Sequence, residues 1–223
     1  MITTPDLIAA LASDATPVRR LRPPLVRAAV WLIFAVSLIA AIAIVHGLRP
    51  DLAERLRQPV FTVGIVASFV TGILAAAVAF LLSLPDRSGL WLLLPAPSIA
   101  VWLSTLGYGC LTDWVSLAPD SVRVGEAVRC FVTLVVTSLP LSLVLLTMLR
   151  HAAALRPTLA TLAGSLSVAA ITATALSLFH NPDATMMILI WNLGTSVLIV
   201  GLACIFGAKM FSWVSRRSFP GAG

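Results

Sequence analysis

The chain has 223 residues, of which 59% are hydrophobic and 11% charged, and it carries a formal net charge of +6. Soluble domains carry about a quarter of their residues as charges, so this balance excludes an ordinary water-soluble fold, which could not hide so much apolar surface. The basic excess is scattered along the edges of apolar stretches instead of forming one patch interleaved with aromatics, and this excludes a direct nucleic-acid surface.

The first element in chain order is a short amphipathic helix. Thr4-Pro5-Asp6 offers an N-cap, a proline at the first helical position and an acid in the first turn. A helix from Pro5 to about Ser13 comes next, with Leu7, Ile8 and Leu11 on one face. A helix of two or three turns is marginal alone and needs a surface to fold against. Lipid headgroups, the chain's own cytoplasmic loops and a partner protein all remain open as that surface. A basic stem containing Arg19, Arg20 and Arg22 links the helix to the first long apolar run.

Six apolar runs then alternate with short polar connections, over 28–45, 60–84, 90–106, 131–149, 159–179 and 184–211. At ~1.5 Å per residue each is long enough to cross the ~30 Å hydrocarbon core of a bilayer. Without the period-two alternation of a membrane barrel, all six are expected to be helices, giving an all-α, polytopic transmembrane bundle. Charges and Pro/Gly breakers gather between the runs, at 48–59, 85–89 and 150–157. The longest connection, about Gly107 to Arg129, holds Asp113, Trp114, Asp120, Arg123 and Glu126. The expected organisation is a cytoplasmic N-terminal segment (1–24), one membrane domain (25–212) and a cytoplasmic tail (213–223). Gly72, Ala76 and Ala79 in the second run and Gly194 in the sixth read as close-packing positions.

Arginine placement sets the orientation. With the N-terminus inside, Arg19, Arg20, Arg22, Arg27, Arg87, Arg150, Arg156, Lys209, Arg216 and Arg217 are cytoplasmic, against Arg49, Arg55, Arg57, Arg123 and Arg129 outside. That distribution obeys the positive-inside rule and puts both termini in the cytoplasm. Ala41-Ile-Ala43 mimics a signal-peptide cleavage site, but the run begins nearly thirty residues into the chain and further spans come directly after it, so it reads as an uncleaved anchor.

On the outer side this topology gathers His46, Cys110, Cys130, His180 and Asp183. Two cysteines in an oxidising compartment can pair, and thiolate or imidazole ligands can capture a metal, so the set is a candidate oxidant or metal sensor. Equally, cysteines at helix ends pack as small apolar residues, and His180 can cap a helix. Cys204 lies inside the sixth run and reads as packing. The runner-up function, a small-molecule or ion transporter or channel, wants ionisable groups near the midplane, and the runs offer none there; Asn192, Pro95, Pro97 and Pro140 are the features that would suit it. No cofactor motif, His-Glu-x-x-His pair or Gly-rich phosphate loop occurs, and the chain is not expected to be an enzyme.

Asp6-Leu-Ile-Ala-Ala-Leu-Ala-Ser-Asp14, Pro17-Val-Arg-Arg-Leu-Arg-Pro-Pro24, Gly47-Leu-Arg-Pro-Asp-Leu52, Pro140-Leu-Ser-Leu143 and Phe179-His-Asn-Pro-Asp183 together resemble the bacterial NrsF-like proteins, negative regulators of sigma-F. The resemblance implies a six-span inner-membrane anti-sigma factor that holds an extracytoplasmic-function sigma factor until a stress signal releases it. It makes Leu7, Ile8 and Leu11 apolar anchors for the sigma factor and Arg19, Arg20 and Arg22 a basic stem that also meets anionic membrane lipid. Redox-responsive members carry a cysteine in a His-Cys-Pro pattern before the last span, where this chain reads His180-Asn181-Pro182. Cys130 matches the family's other cysteine, which leaves Cys110 as the candidate partner or the signal as something other than thiol oxidation.

Overall fold

A computed structural model describes residues 3–13, 22–84, 86–113, 124–150 and 157–179. Within these, the side chains at 7, 10, 11, 109–113, 124–131 and 157 are also left undescribed. The described chain is helical, with α1 (Thr4–Ser13), α2 (Pro24–His46), α3 (Leu52–Arg55), α4 (Pro59–Leu82), α5 (Ala96–Asp113), α6 (Val124–Leu149) and α7 (Pro157–Phe179), plus a 3₁₀ segment Gly89–Leu93 ahead of α5. Five of the elements are long and apolar enough to cross a membrane: Pro24–His46, Pro59–Leu82, Gly89–Tyr108, Val132–Leu149 and Thr158–Phe179. They coincide with the first five apolar runs. The sixth, 184–211, together with Asn192 and Gly194, lies outside the described residues.

Two boundaries differ from expectation. The third span is not one continuous α-helix, because Pro95 and Pro97 cannot donate backbone hydrogen bonds and the chain enters it through the 3₁₀ turn instead. The connection read as Gly107 to Arg129 is much shorter, since α5 continues to Asp113 and α6 starts at Val124. Polar residues there did not stop the helices, because a helix that has left the hydrocarbon core is free to carry charge.

Side-chain pairings across the interfaces fix the directions of the helices. Ser68 faces Thr174, and Ser167 donates to the Gly72 carbonyl, so α4 and α7 are antiparallel. Thr71 to Ser98 and Gly64 against Thr105 relate α4 to α5 in the same sense. Trp31 to Leu141 and Arg27 to Met148 do so for α2 and α6. The spans therefore alternate, with Pro24, Leu82, Gly89, Leu149 and Pro157 at one end and His46, Pro59, Asp113, Val124 and Phe179 at the other. α2, α4, α6 and α7 enclose a shared core containing Trp31, Phe80, Leu141, Leu145 and Ile171. α5 lies outside this group, packed on α4.

The tightest contact is between α4 and α7. Gly72 lets Ile171 lie directly on the α4 backbone, where a Cβ at position 72 would fall 2.6 Å from Ile171 Cδ1 and 2.7 Å from its Cγ1. The same closeness brings Ser167 Oγ within 2.6 Å of the Gly72 carbonyl, and Ser68 and Thr174 share a hydrogen bond of 2.9 Å. Apolar surface gains little by leaving lipid, so close packing and interhelical hydrogen bonds of this kind hold membrane helices together. Ala76 and Ala79 are fully buried, in line with their reading as small packing positions. Gly164 plays the corresponding part between α7 and α6, with Leu145 Cδ2 at 2.8 Å from a notional Cβ.

Ile171 is fully buried and cannot swing clear. Gly72→Val should therefore destabilise the bundle by about 1–3 kcal/mol, as overpacking does. Gly72→Ala should do less harm, its clash offset by a helix-propensity gain of about 1 kcal/mol. Thermal midpoints of the detergent-solubilised protein should fall in that order. In a background of Ile171→Ala, which removes both Cδ1 and Cγ1, Gly72→Ala should no longer lower the midpoint, and Gly107→Ala, which meets nothing within 4 Å inside α5, should raise it slightly through the same propensity gain.

Candidate functional site

The predicted partner-binding segment contains the helix α1. Its cap falls one residue earlier than the sequence pattern suggests. Thr3 precedes the first helical residue, Thr4, so Pro5 occupies the second helical position and Asp6 the third. From the third position a carboxylate reaches back to the capping residue, and Asp6 Oδ2 accepts from the Thr3 backbone N–H at 3.2 Å and from the Thr3 hydroxyl. These two bonds hold the Asp6 carboxyl below its ordinary range, so the cap is intact at neutral pH. Ile8, one of the three predicted anchors, is 62% exposed. Leu7 and Leu11 belong to the same helix, with side chains outside the described set. Of the basic stem, Arg22 is exposed just before α2, while Arg19 and Arg20 lie outside the described residues.

The stem leads into a residue that sequence reasoning treats only as a topology marker. Arg27 sits in the first turn of α2, is 8% exposed, donates to the Met148 carbonyl of α6 and holds its guanidinium carbon 5.0 Å from the centroid of the Phe80 ring of α4. One turn further, the fully buried Trp31 donates through Nε1 to the Leu141 carbonyl at 3.2 Å. The first helix after the segment is thus tied to α4 and α6 at the end where the segment emerges.

At the opposite end, the predicted sensing residues are only partly brought into view. His46 closes α2 and is exposed, next to Gly47, whose φ of +76° suits a residue without a Cβ. Cys110 lies in the last turn of α5 and Cys130 in the second turn of α6, with their side chains outside the described set. The bodies of these two helices pack on different members of the α4–α7 pair, α5 on α4 and α6 on α7. His180 and Asp183 lie outside the described residues. Among the described residues no group of three His, Cys, Asp or Glu comes together.

What organises this end is Arg49, again visible in the sequence only as a charge. Its side chain is buried and grips Asp51 through two bonds, Nε to Oδ1 at 2.7 Å and Nη2 to Oδ2 at 2.6 Å. The guanidinium also lies 5.6 Å from the Phe61 ring centroid of α4, and the Arg49 backbone N–H donates to the Leu178 carbonyl at the end of α7 at 3.2 Å. One residue therefore joins the ends of α2, α4 and α7. The fork geometry that matches carboxylate to guanidinium is available only to arginine. Among the described residues Arg27 and Arg49 are the buried charges, and both sit at helix ends, away from the midplane where a transport site is expected.

Asp51 is held at a pKa of about 2, below the ordinary value of 3.8, first by the hydrogen bonds from Arg49 and then by the charges of Arg49 and Arg55. A carboxyl lowered by folding contributes stability above its unfolded pKa and loses it as pH falls through the folded one. The difference in thermal midpoint between wild type and Asp51→Asn should therefore be constant from neutral pH down to about 4 and shrink as the pH approaches 2. A difference that stays the same from pH 4 down to 2 would show that the clamp does not hold this carboxylate.

No curated protein and no solved structure matches the chain significantly. A family model does, and it is described as NrsF, negative regulator of sigma F. The match runs over residues 11–213, from the end of α1 through all five described spans and the sixth apolar run, so Cys110, Cys130, His46, His180 and Asp183 fall inside it while Leu7 and Ile8 precede it. With nearly its whole length covered, the chain belongs to the NrsF family of negative regulators of sigma F.

Proposed function

We propose that the protein is an integral anti-sigma factor of the bacterial inner membrane. It sequesters an extracytoplasmic-function sigma factor through its cytoplasmic N-terminal segment and releases it on an envelope, oxidant or metal signal received at the outer face. Membership of a family that negatively regulates a sigma factor supplies the class of partner. The observation that carries the reading is α1 itself. A two-to-three-turn helix whose N-terminus is closed by the Thr3–Asp6 hydrogen bonds leaves the apolar Ile8 exposed, ahead of α2 in the chain. An amphipathic helix offered in this way suits a hydrophobic groove on a partner, with anchors spaced three and four residues apart. Arg19, Arg20 and Arg22 add a basic approach to an acidic partner surface and hold the stem against anionic lipid. His46, Cys110, Cys130, His180 and Asp183 form the input side of this reading.

Two experiments test it. Burying a leucine side chain is worth roughly 1.5–3 kcal/mol, so Leu7→Ala, Ile8→Ala or Leu11→Ala should each weaken capture of the sigma factor by about ten- to a hundredfold in a pull-down, without loss of protein from the membrane. Full capture by a chain lacking residues 4–13 would sink the tether. For orientation, in a background without the native cysteines, Asp14→Cys should be shielded from an impermeant thiol reagent in intact cells and Asp120→Cys labelled. The reverse pattern would invert the assignment of the two faces.

A further inference from the structure

The bonds between α2 and α6 differ from the rest of the packing. α2 meets α6 through two side-chain donors directed at backbone carbonyls, Arg27 at Met148 and Trp31 at Leu141. Met148 lies in the last turn of α6, where carbonyl oxygens have no partner within the helix and carry the negative end of its dipole, so a guanidinium there caps the helix. Leu141 comes directly after Pro140, the proline inside α6. A proline removes one intrahelical hydrogen bond and crowds the preceding turn, which makes position 140 the place where this helix bends most readily. The two bonds thus pin the part of α6 after Pro140 to α2. The part before it runs to the opposite face, carries Cys130 and packs through Leu134 on Leu176 of α7.

We propose that Arg27 and Trp31 are the output contacts of the bundle: while they hold α2 to the lower part of α6 the N-terminal segment keeps its partner, and when α6 bends at Pro140 they break and the partner is released. This rests on the tether reading and adds to it the residues that couple tether to bundle. The geometry favours them because Arg27 is four residues from Pro23, where the stem enters α2, so a change at its guanidinium reaches the tether through one helical turn. Phe80 gives the freed cation a place to stay without leaving the membrane edge, since its ring faces Arg27 from α4 and does not depend on α6. Both roles belong to positioning residues; neither needs to touch the partner.

The test uses the full chain in membranes with its sigma factor, scored by co-purification and by a reporter of sigma activity without any added stimulus. Arg27→Met removes the donor and the charge, and Trp31→Phe removes only the N–H. The double variant should retain about tenfold less partner, the change expected from losing one charge-assisted hydrogen bond, and should raise the reporter at unchanged membrane level. Arg27→Lys, which keeps charge and one donor, should restore part of the retention, and Leu25→Ala on the exposed face of the same turn should change nothing. Should the double variant fail to accumulate, Trp31→Phe alone carries the test, with the same two readouts. Wild-type retention and reporter in the variant, combined with loss of partner on deleting residues 4–13, would overturn the coupling and leave the tether standing. Full retention after that deletion would overturn the tether reading, and the coupling with it.

Discussion

The close approach of α4 and α7 at Gly72 is the constraint on which the remaining structure depends. In a bilayer, side chains gain little by turning from lipid to protein, and the hydrophobic term that assembles soluble bundles is nearly absent. Attraction has to come from surfaces that fit and from polar groups that find partners. Gly72 supplies both, since its missing side chain admits Ile171 and exposes its own carbonyl to Ser167. Once these two helices are fixed, α2 and α6 have a groove to fill, and the indole of Trp31 occupies the shared centre.

The two buried arginines stand at opposite ends of that bundle and perform comparable tasks. Each combines an aromatic ring of α4 with an oxygen acceptor: Phe80 and the Met148 carbonyl for Arg27, Phe61 and the Asp51 carboxylate for Arg49. A buried charge without such partners would be strongly unfavourable. With them it becomes a directional tie, because a planar guanidinium must sit flat against a ring while its N–H groups point at oxygen. α4 therefore acts as a spine carrying one such tie near each of its ends.

Much of this was legible from residue order alone. The lengths of the apolar runs placed the described spans to within a few residues, and Gly72, Ala76 and Ala79 stood out as small residues in an aliphatic run. Ionic partners were not legible. Arg27 and Arg49 look like any other basic residue beside a span, and their burial depends on neighbours as distant in the chain as Met148 and Leu178. Trp31 was equally silent, since an indole in an apolar run is as compatible with lipid as with a carbonyl. The break before α5 falls at Pro95 and Pro97, inside a run whose length alone predicts one continuous helix, because sequence does not say which carbonyls a neighbour will satisfy. The N-terminal helix was legible in extent, its signals being local, although its closing residue is Thr3 and not Thr4.

The pairing of α4 with α7 also bears on the order in which the protein is made. α4 leaves the ribosome well before its partner, with α5 and α6 synthesised in between, so its polar groove must wait without α7. It is equipped for that interval. Thr71 bonds the carbonyl of Ala67, and Ser68 that of Ile65, both within α4, so neither hydroxyl depends on α7 to be satisfied. Thr174 brings the same provision on α7, through the Ala170 carbonyl. The two helices can each form as complete units; when they meet, one hydroxyl of the Ser68–Thr174 pair turns its single O–H from its own helix's carbonyl to the other hydroxyl, and synthesis of the seventh helix closes a gap held open since the fourth.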